Sequence, residues 1–334
     1  MNVAIIGAGA VGARAARQLA STDSVDRIVV SDSDEEKVET VVASLRPERA
    51  SAADIHDSLP GVDERVSVVV LAAPHLAQAE LARRYVANGV AVVSVADGID
   101  DVRALLDLDA HARAHHTSVI VGAGFSPGLT CVLAAHAASL FDHVDEVHVA
   151  RAGTGGPACA SAHHRALGSA ALDWRDGAWV NRRAGSGREL CWFPDPIGGA
   201  DCYRAALPDA LLLAPAFPGV GRVTARLAAN RRDRVTSRFP MLRPPHPEGG
   251  LGAVRVEVRG RRGSARVVQV LGAMDRPAVA AGAVAALAAV STANGDVLRT
   301  GAGGLAEMVN PLPFLAELAR RGVKAAVFEG AAAS

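Results

Sequence analysis

Val3-Ala4-Ile5-Ile6-Gly7-Ala8-Gly9-Ala10-Val11-Gly12 carries an apolar run of strand length straight into a Gly-x-Gly-x-x-Gly turn. A helical pattern follows, with Ala13, Ala16, Leu19 and Ala20 on one face and Arg14 and Arg17 off it. Each glycine has a separate task in such a strand–turn–helix. Gly7 permits the tight turn, Gly9 lets the backbone approach a pyrophosphate, and Gly12 lets helix and strand pack closely. Across Ala8, Ala10 and Val11, the helix start offers free N–H groups and a positive pole to phosphates. A second β-like run, Arg27-Ile28-Val29-Val30-Ser31, ends at Asp32, where an acid holds an adenosine ribose. That carboxylate favours NAD, because it repels the 2′-phosphate of NADP. Ser33 follows with no adjacent arginine, and Lys37, one helical turn on, keeps NADP open.

The 334 residues suffice for two domains, and with half of them hydrophobic a sizeable core is available. The formal net charge is zero, which argues against nucleic acid or an acidic membrane as the main partner. Lys37 and Lys324 are the only lysines among 35 basic residues, so a catalytic lysine is not expected. Cys131, Cys159, Cys191 and Cys202 form no C-x-x-C pair; they read as reduced thiols in the core of a cytoplasmic protein, with no metal site. No basic or cleavable segment precedes the first strand, and the longest apolar candidate, Pro277 to Val290, is too short to span a membrane.

Acids at Asp34, Glu35 and Glu36 suit the start of a second helix. A short third strand is expected within Arg49 to Asp57, with Asp54 and Ile55 read either as neighbours of an adenine or as a surface acid beside a buried isoleucine. Val66 to Leu71 is continuously apolar, as for a strand buried on both faces, and ends in Ala72-Ala73-Pro74-His75. Helix Gln78 to Ala87, strand Val90 to Val95, Ala96-Asp97-Gly98, helix Asp101 to His115 and strand Ser118 to Val121 complete the alternation. It predicts an α/β doubly wound parallel Rossmann sheet with right-handed crossovers, whose ligands lie beyond the carboxyl ends of the strands. The small Ala72 and Ala73 leave room there for a nicotinamide ribose. Ser126 reads as a helix N-cap with Pro127 at the first helical position, opening a helix that ends about Phe141.

From Val144 the pattern changes to a mixed, largely antiparallel α+β unit. Asp145 to Ala150 alternates like a half-exposed strand, and Ala160 to Leu172 reads as a helix. Asp176-Gly177 between Trp174 and Trp179 signals a hairpin. Strands are expected at Val220 to Leu227, Ala253 to Val258 and Arg266 to Leu271. The small-residue helix Pro277 to Asn294 suits either a homo-oligomer interface or its own first domain. A helix from Phe314 to Arg321 and an extended segment to Phe328 close the pattern. The expected division is 1–127 as the dinucleotide-binding domain, 128–275 as a substrate domain that also suits a homodimer contact, and 276–334 as helices returning to pack on the first.

The chain resembles the saccharopine dehydrogenase family. The residues that carry the resemblance are the opening glycine turn, Ala72-Ala73-Pro74, Asp97, Gly122-Ala123-Gly124-Phe125-Ser126-Pro127-Gly128-Leu129, Asp176 to Val180, and Phe314 to Val323. The resemblance implies NAD or NADP, a mixed domain inserted before a returning helix, and reversible hydride transfer at a carbon–nitrogen bond of an amino-acid-derived amine or imine. It departs from the family at Ser126, where an acid is common, and at Val95.

Such chemistry asks little of the protein beyond orientation and polarisation, but an imine needs a proton donor or an acid that favours the iminium. His75 is the first candidate, weighed against a helix-start histidine bonded to backbone. Asp97 is the second, with a capping role for the next helix as the favoured alternative. His163 is the third, since adjacent His163 and His164 cannot both face one cleft. Arg151 or Arg165 suits a substrate carboxylate, beside Gly124 and Phe125. Ala96 completes the expected cofactor contacts. The alternatives are a dinucleotide-binding sensor or scaffold without turnover, and a reductase of a carbonyl or activated alkene.

Overall fold

Runs of valine and isoleucine with no polar alternation become the middle of a parallel sheet, because a strand covered on both faces has no wet side. The computed structural model describes the chain except residues 47, 54–58, 75–76, 238, 240, 242–245, 247–248, 324 and 329–334, with 325–328 as backbone only. The first unit alternates as β1 (Asn2–Ile6), α1 (Ala10–Ala20), β2 (Arg27–Ser31), α2 (Glu35–Ala43), β3 (Ala50–Ala52), β4 (Val68–Leu71), α3 (Gln78–Ala87), β5 (Ala91–Ser94), α4 (Ile99–Leu106), α5 (Asp109–Ala114) and β6 (Ser118–Val121). Val68 to Val70, Val92 and Val93 are fully buried, as the apolar runs require. The expected helix from Asp101 to His115 is broken into α4 and α5 by a turn that carries Leu108 into the core.

α6 (Leu129–Ala138) leads into the second unit. It comprises β7 (His143–Ala152), α7 (Pro157–Gly168), β8 (Ala171–Arg175), β9 (Ala178–Arg182), β10 (Glu189–Trp192), β11 (Gly199–Arg204), α8 (Asp209–Leu213), β12 (Arg222–Ala228), α9 (Arg231–Thr236), β13 (Gly252–Arg262) and β14 (Ala265–Asp275). The helix expected from Ala160 to Leu172 starts earlier, with Pro157 in its first turn, and Ala171 and Leu172 belong to β8. The Trp174–Trp179 hairpin forms as expected. The two rings meet edge to face at 4.8 Å, and Asp176 and Gly177 both take positive φ in the turn.

The return comprises α10 (Pro277–Ala293), β15 (Gly301–Gly304), α11 (Leu305–Met308), α12 (Pro311–Arg320) and β16 (Ala325–Phe328). The first sheet has the order β15-β6-β5-β4-β1-β2-β3 and is parallel throughout. Its seventh strand, β15, comes from the far end of the chain. The second sheet runs β10-β11-β12-β7-β13-β14-β16, with β7–β12 the one parallel pairing among its described neighbours. α10 is buried along nearly its whole length and lies on α1 of its own first unit. Gly282 makes that approach feasible, since a Cβ there would stand 2.5 Å from the Cβ of Arg14.

Candidate functional site at the carboxyl ends of the first sheet

The glycine turn joins β1 to α1, and its three glycines face three different surroundings. Gly7 takes φ +112°, and a Cβ on it would lie 2.6 Å from the backbone of Ala72. A Cβ on Gly12 would lie 1.7 Å from the carbonyl oxygen of Gly7. A Cβ on Gly9 would meet nothing within 4 Å. Two of these glycines are therefore imposed by packing, whereas Gly9 opens onto free space at the helix start. This is the arrangement a pyrophosphate needs, and the residues present fit one. Asp32 is tied to the same turn: its Oδ2 accepts from the N–H of Ala8 at 2.6 Å, and its Oδ1 from the N–H of Asp34 at 3.0 Å. Lys37 is paired with Asp34 at 2.6 Å, and Ser33 is exposed. The buried face of α1 is Gly12, Ala15, Ala16 and Leu19. Ala13 and Ala20, expected on it, are half-buried against the core at its margin, and Ala13 also lines an open cleft with Ala8, Gly9 and Ala10.

Beyond β4 and β5, a buried polar chain that sequence reading missed fixes the two strand-end turns against each other. Gln78 donates to the carbonyl of Ala73 at 3.1 Å and accepts from the Ser94 hydroxyl at 2.6 Å. The N–H of Ala96 donates to that same hydroxyl at 3.1 Å. Ala72 and Ala73 are half-buried and Pro74 is exposed. His75, Asp54 and Ile55 lie outside the described residues.

The second unit meets these ends through Arg151, near the end of β7 and 4% exposed. Its Nη1 donates to the Ser126 carbonyl at 2.6 Å and stands 3.6 Å from Asp97 Oδ2. The favoured capping role for Asp97 is not realised: Gly98 is the N-cap of α4 and no side chain caps it. Asp97 turns to Arg151 instead, because a buried guanidinium requires a counter-charge. Nor does Ser126 cap α6, which starts two residues after the cis Ser126–Pro127 peptide with Gly128 as N-cap. Its hydroxyl donates to Asp209, the first residue of α8, at 3.0 Å, as does that of Thr130 at 2.6 Å. Burial pushes the Asp209 carboxyl above the usual carboxylate range, against the pull of Thr130, Arg151 and Ser126. No local pattern in the sequence marked Asp209, because its partners are some eighty residues away.

α7 presents Cys159 and His163, one turn apart, to the same place. Cys159 lies within electrostatic reach of Arg151 and Asp97, and His163 of Arg151. Burial pushes the Cys159 thiol up. Burial, helped by the Arg151 and His164 charges, brings His163 down to about 3, so its ring is neutral, and its Nδ1 has no hydrogen-bond partner. His164 points elsewhere and bonds the Phe239 carbonyl at 2.7 Å. Arg165 is exposed and is not brought to the cluster. Phe125 is buried in the core beneath the loop, while Gly124 closes that loop by donating to the Pro127 carbonyl at 3.0 Å.

Residues 2–106 match the family model described as semialdehyde dehydrogenase, NAD binding domain. Among solved structures, the chain is similar to the apo saccharopine dehydrogenase (L-Glu forming) of Saccharomyces cerevisiae. That likeness has a TM-score of 0.70 at 12% identity and covers 98% of this chain and 99% of that one. It is also similar to an engineered D-amino acid dehydrogenase, with a TM-score of 0.53 at 14% identity, covering 92% of this chain and 94% of that one. The same engineered enzyme bound to NADP+ gives 0.51 at 16% identity, again over 92% and 94%. At these identities the structural likenesses establish the fold, and it is the fold that the sequence resemblance implied. The family match and the glycine turn support an NAD(P)-binding oxidoreductase whose matched dinucleotide domain is residues 2–106.

Proposed function

We propose that the protein transfers a hydride reversibly at a C–N bond of an amino-acid-derived amine or imine, with NAD preferred to NADP. The observation that carries this reading is the 3.6 Å approach of Arg151 to Asp97 at the carboxyl ends of the first sheet. A guanidinium and a carboxylate side by side are complementary to a substrate bearing a carboxylate next to a cationic nitrogen. Arg151 takes the substrate carboxylate. Asp97 faces the nitrogen and favours the iminium over the neutral imine, which makes the carbon a better hydride acceptor. The bound dinucleotide supplies or receives that hydride.

The chain's own residues hold the reactants. Gly9 admits the phosphates, Asp32 faces the ribose, and Ala72 and Ala73 leave space above β4 and β5. His163, neutral, accepts a hydrogen bond from the substrate rather than bringing a proton to it. Gly124 closes, and the buried Phe125 anchors, the loop whose Ser126 carbonyl holds Arg151.

Titration calorimetry with NADH and NADPH, followed by a screen of amines and oxoacids with ammonia or amino acids, tests the reading. NADH binding that weakens in Asp32→Ala, and turnover that requires an amine, are the expected results. Absence of dinucleotide binding would remove the basis of the reading. Turnover of a carbonyl or alkene without any amine would favour the carbonyl or alkene reductase instead.

A further inference from the structure

The cleft that opens at Gly9 has a second wall from the other end of the chain. Ala8, Gly9 and Ala10 share it with Arg276, Ala278 and Val279, the residues through which β14 passes into α10. Arg14 and Arg17 of α1 and Lys37 of α2 also line it, against Glu36 as the one carboxylate among its described lining residues. α10 runs in the same direction as α1. Its first turn lies beside the start of α1, and Gly282, a turn further on, lies against Arg14 and Ala15. Burial pushes the Asp275 carboxyl up, against the backbone N–H of Arg276, which donates to its Oδ1 at 2.7 Å, and the charges of Arg276 and Arg14. Arg276 itself is exposed at the cleft.

We infer that Arg276 is a phosphate-binding residue of the dinucleotide site, reaching the pyrophosphate from the side opposite the glycine turn. This rests on the NAD(P) reading of the turn and extends it to a segment well outside residues 2–106. The chemistry is general. A pyrophosphate placed over Gly9 carries two charges, and the N–H groups of α1 approach it from one side only. An arginine fork on the facing wall meets the remaining oxygens with charge-assisted hydrogen bonds. Because Arg276 sits at the junction between the second sheet and the returning helix, such a contact also makes the bound dinucleotide a tie between the two units.

The test is titration calorimetry of NADH and ADP-ribose against the intact protein and its Arg276→Gln, Arg276→Lys and Arg17→Gln variants. Loss of one charge-assisted contact predicts a Kd for both ligands roughly ten- to a hundredfold weaker in Arg276→Gln. Arg276→Lys should recover part of that loss. Arg17 lines the same cleft two turns further down α1, so Arg17→Gln removes equal charge and should change the Kd less than about twofold. Equal weakening by both glutamine variants would reduce the effect to bulk charge and overturn the inference. So would NADH binding to Arg276→Gln as tightly as to the unaltered protein. If the unaltered protein bound neither ligand, the dinucleotide reading itself would fall, and this inference with it.

Discussion

Arg151, on a strand of the second sheet, donates to the carbonyl oxygen of Ser126, on the loop that ends the first, at 2.6 Å. The bond is buried and spans the two units, so the position of the guanidinium relative to the strand ends is set by both. Arg151→Met keeps the volume and removes the donor. It leaves a buried carbonyl unpaired, which costs about 1–3 kcal/mol. Urea denaturation checks the stability. Turnover in Arg151→Met should fall at least tenfold through KM if the arginine holds the substrate carboxylate.

The glycine turn separates packing from binding. Gly12→Ala drives a methyl into the Gly7 carbonyl and should cost more than about 3 kcal/mol or abolish folding. Gly9→Ala meets no atom and should stay within about 1 kcal/mol of the parent protein, the difference between glycine and alanine at an N-cap. Its affinity for NADH should nevertheless drop, because the methyl occupies the approach of the pyrophosphate. Melting curves with and without NADH distinguish the two variants.

Asp209 accepts from two hydroxyls while fully buried. Asp209→Ala strands both donors and should cost about 2–4 kcal/mol. Asp209→Asn retains an acceptor oxygen and should cost less. Equal losses in the two variants would show that the hydroxyl contacts contribute nothing beyond side-chain volume.

His163 makes the stability of the fold depend on pH. In the unfolded chain it takes a proton below its ordinary value near 6.5, whereas in the fold it stays neutral down to about 3. The unfolded state therefore binds more protons in that window, and stability falls as pH drops from about 6.5 towards 3, at up to about 1.4 kcal/mol per pH unit. His163→Gln should show a shallower decline of its urea midpoint between neutral and mildly acidic pH. An unchanged slope would mean that the ring is already solvated in the fold.

Local signals made the first unit readable. The turn at Gly7 to Gly12, the valine runs of β4 and β5 and the Asp-Gly hairpin each declare their conformation within a few residues. The elements that escaped have no such signal. Gly301-Ala302-Gly303-Gly304 has neither β-propensity nor alternation, and becomes β15 because β6 offers it an edge. β10 and β11 are similarly defined by their neighbours. At the site, Asp97 and Arg151 were legible as residue types at strand ends, but their pairing was not, because it joins two units. The cap expected of Ser126 failed for the same reason: a distant carboxylate competes for its hydroxyl. Cys159, read as core, comes within electrostatic reach of Arg151 and Asp97 on account of where α7 starts.

The placement of β15 and α10 has a consequence for synthesis. The seventh strand of the first sheet and the helix that covers α1 leave the ribosome only after the strands β7 to β14 of the second unit. Until then the outer flank of α1 beside Gly282 and the edge of β6 have no partner from their own chain. The nascent first unit cannot close ahead of the second, and a fragment ending at residue 127 would carry an uncovered apolar flank. For this protein, the dinucleotide domain is begun before the second unit and finished after it.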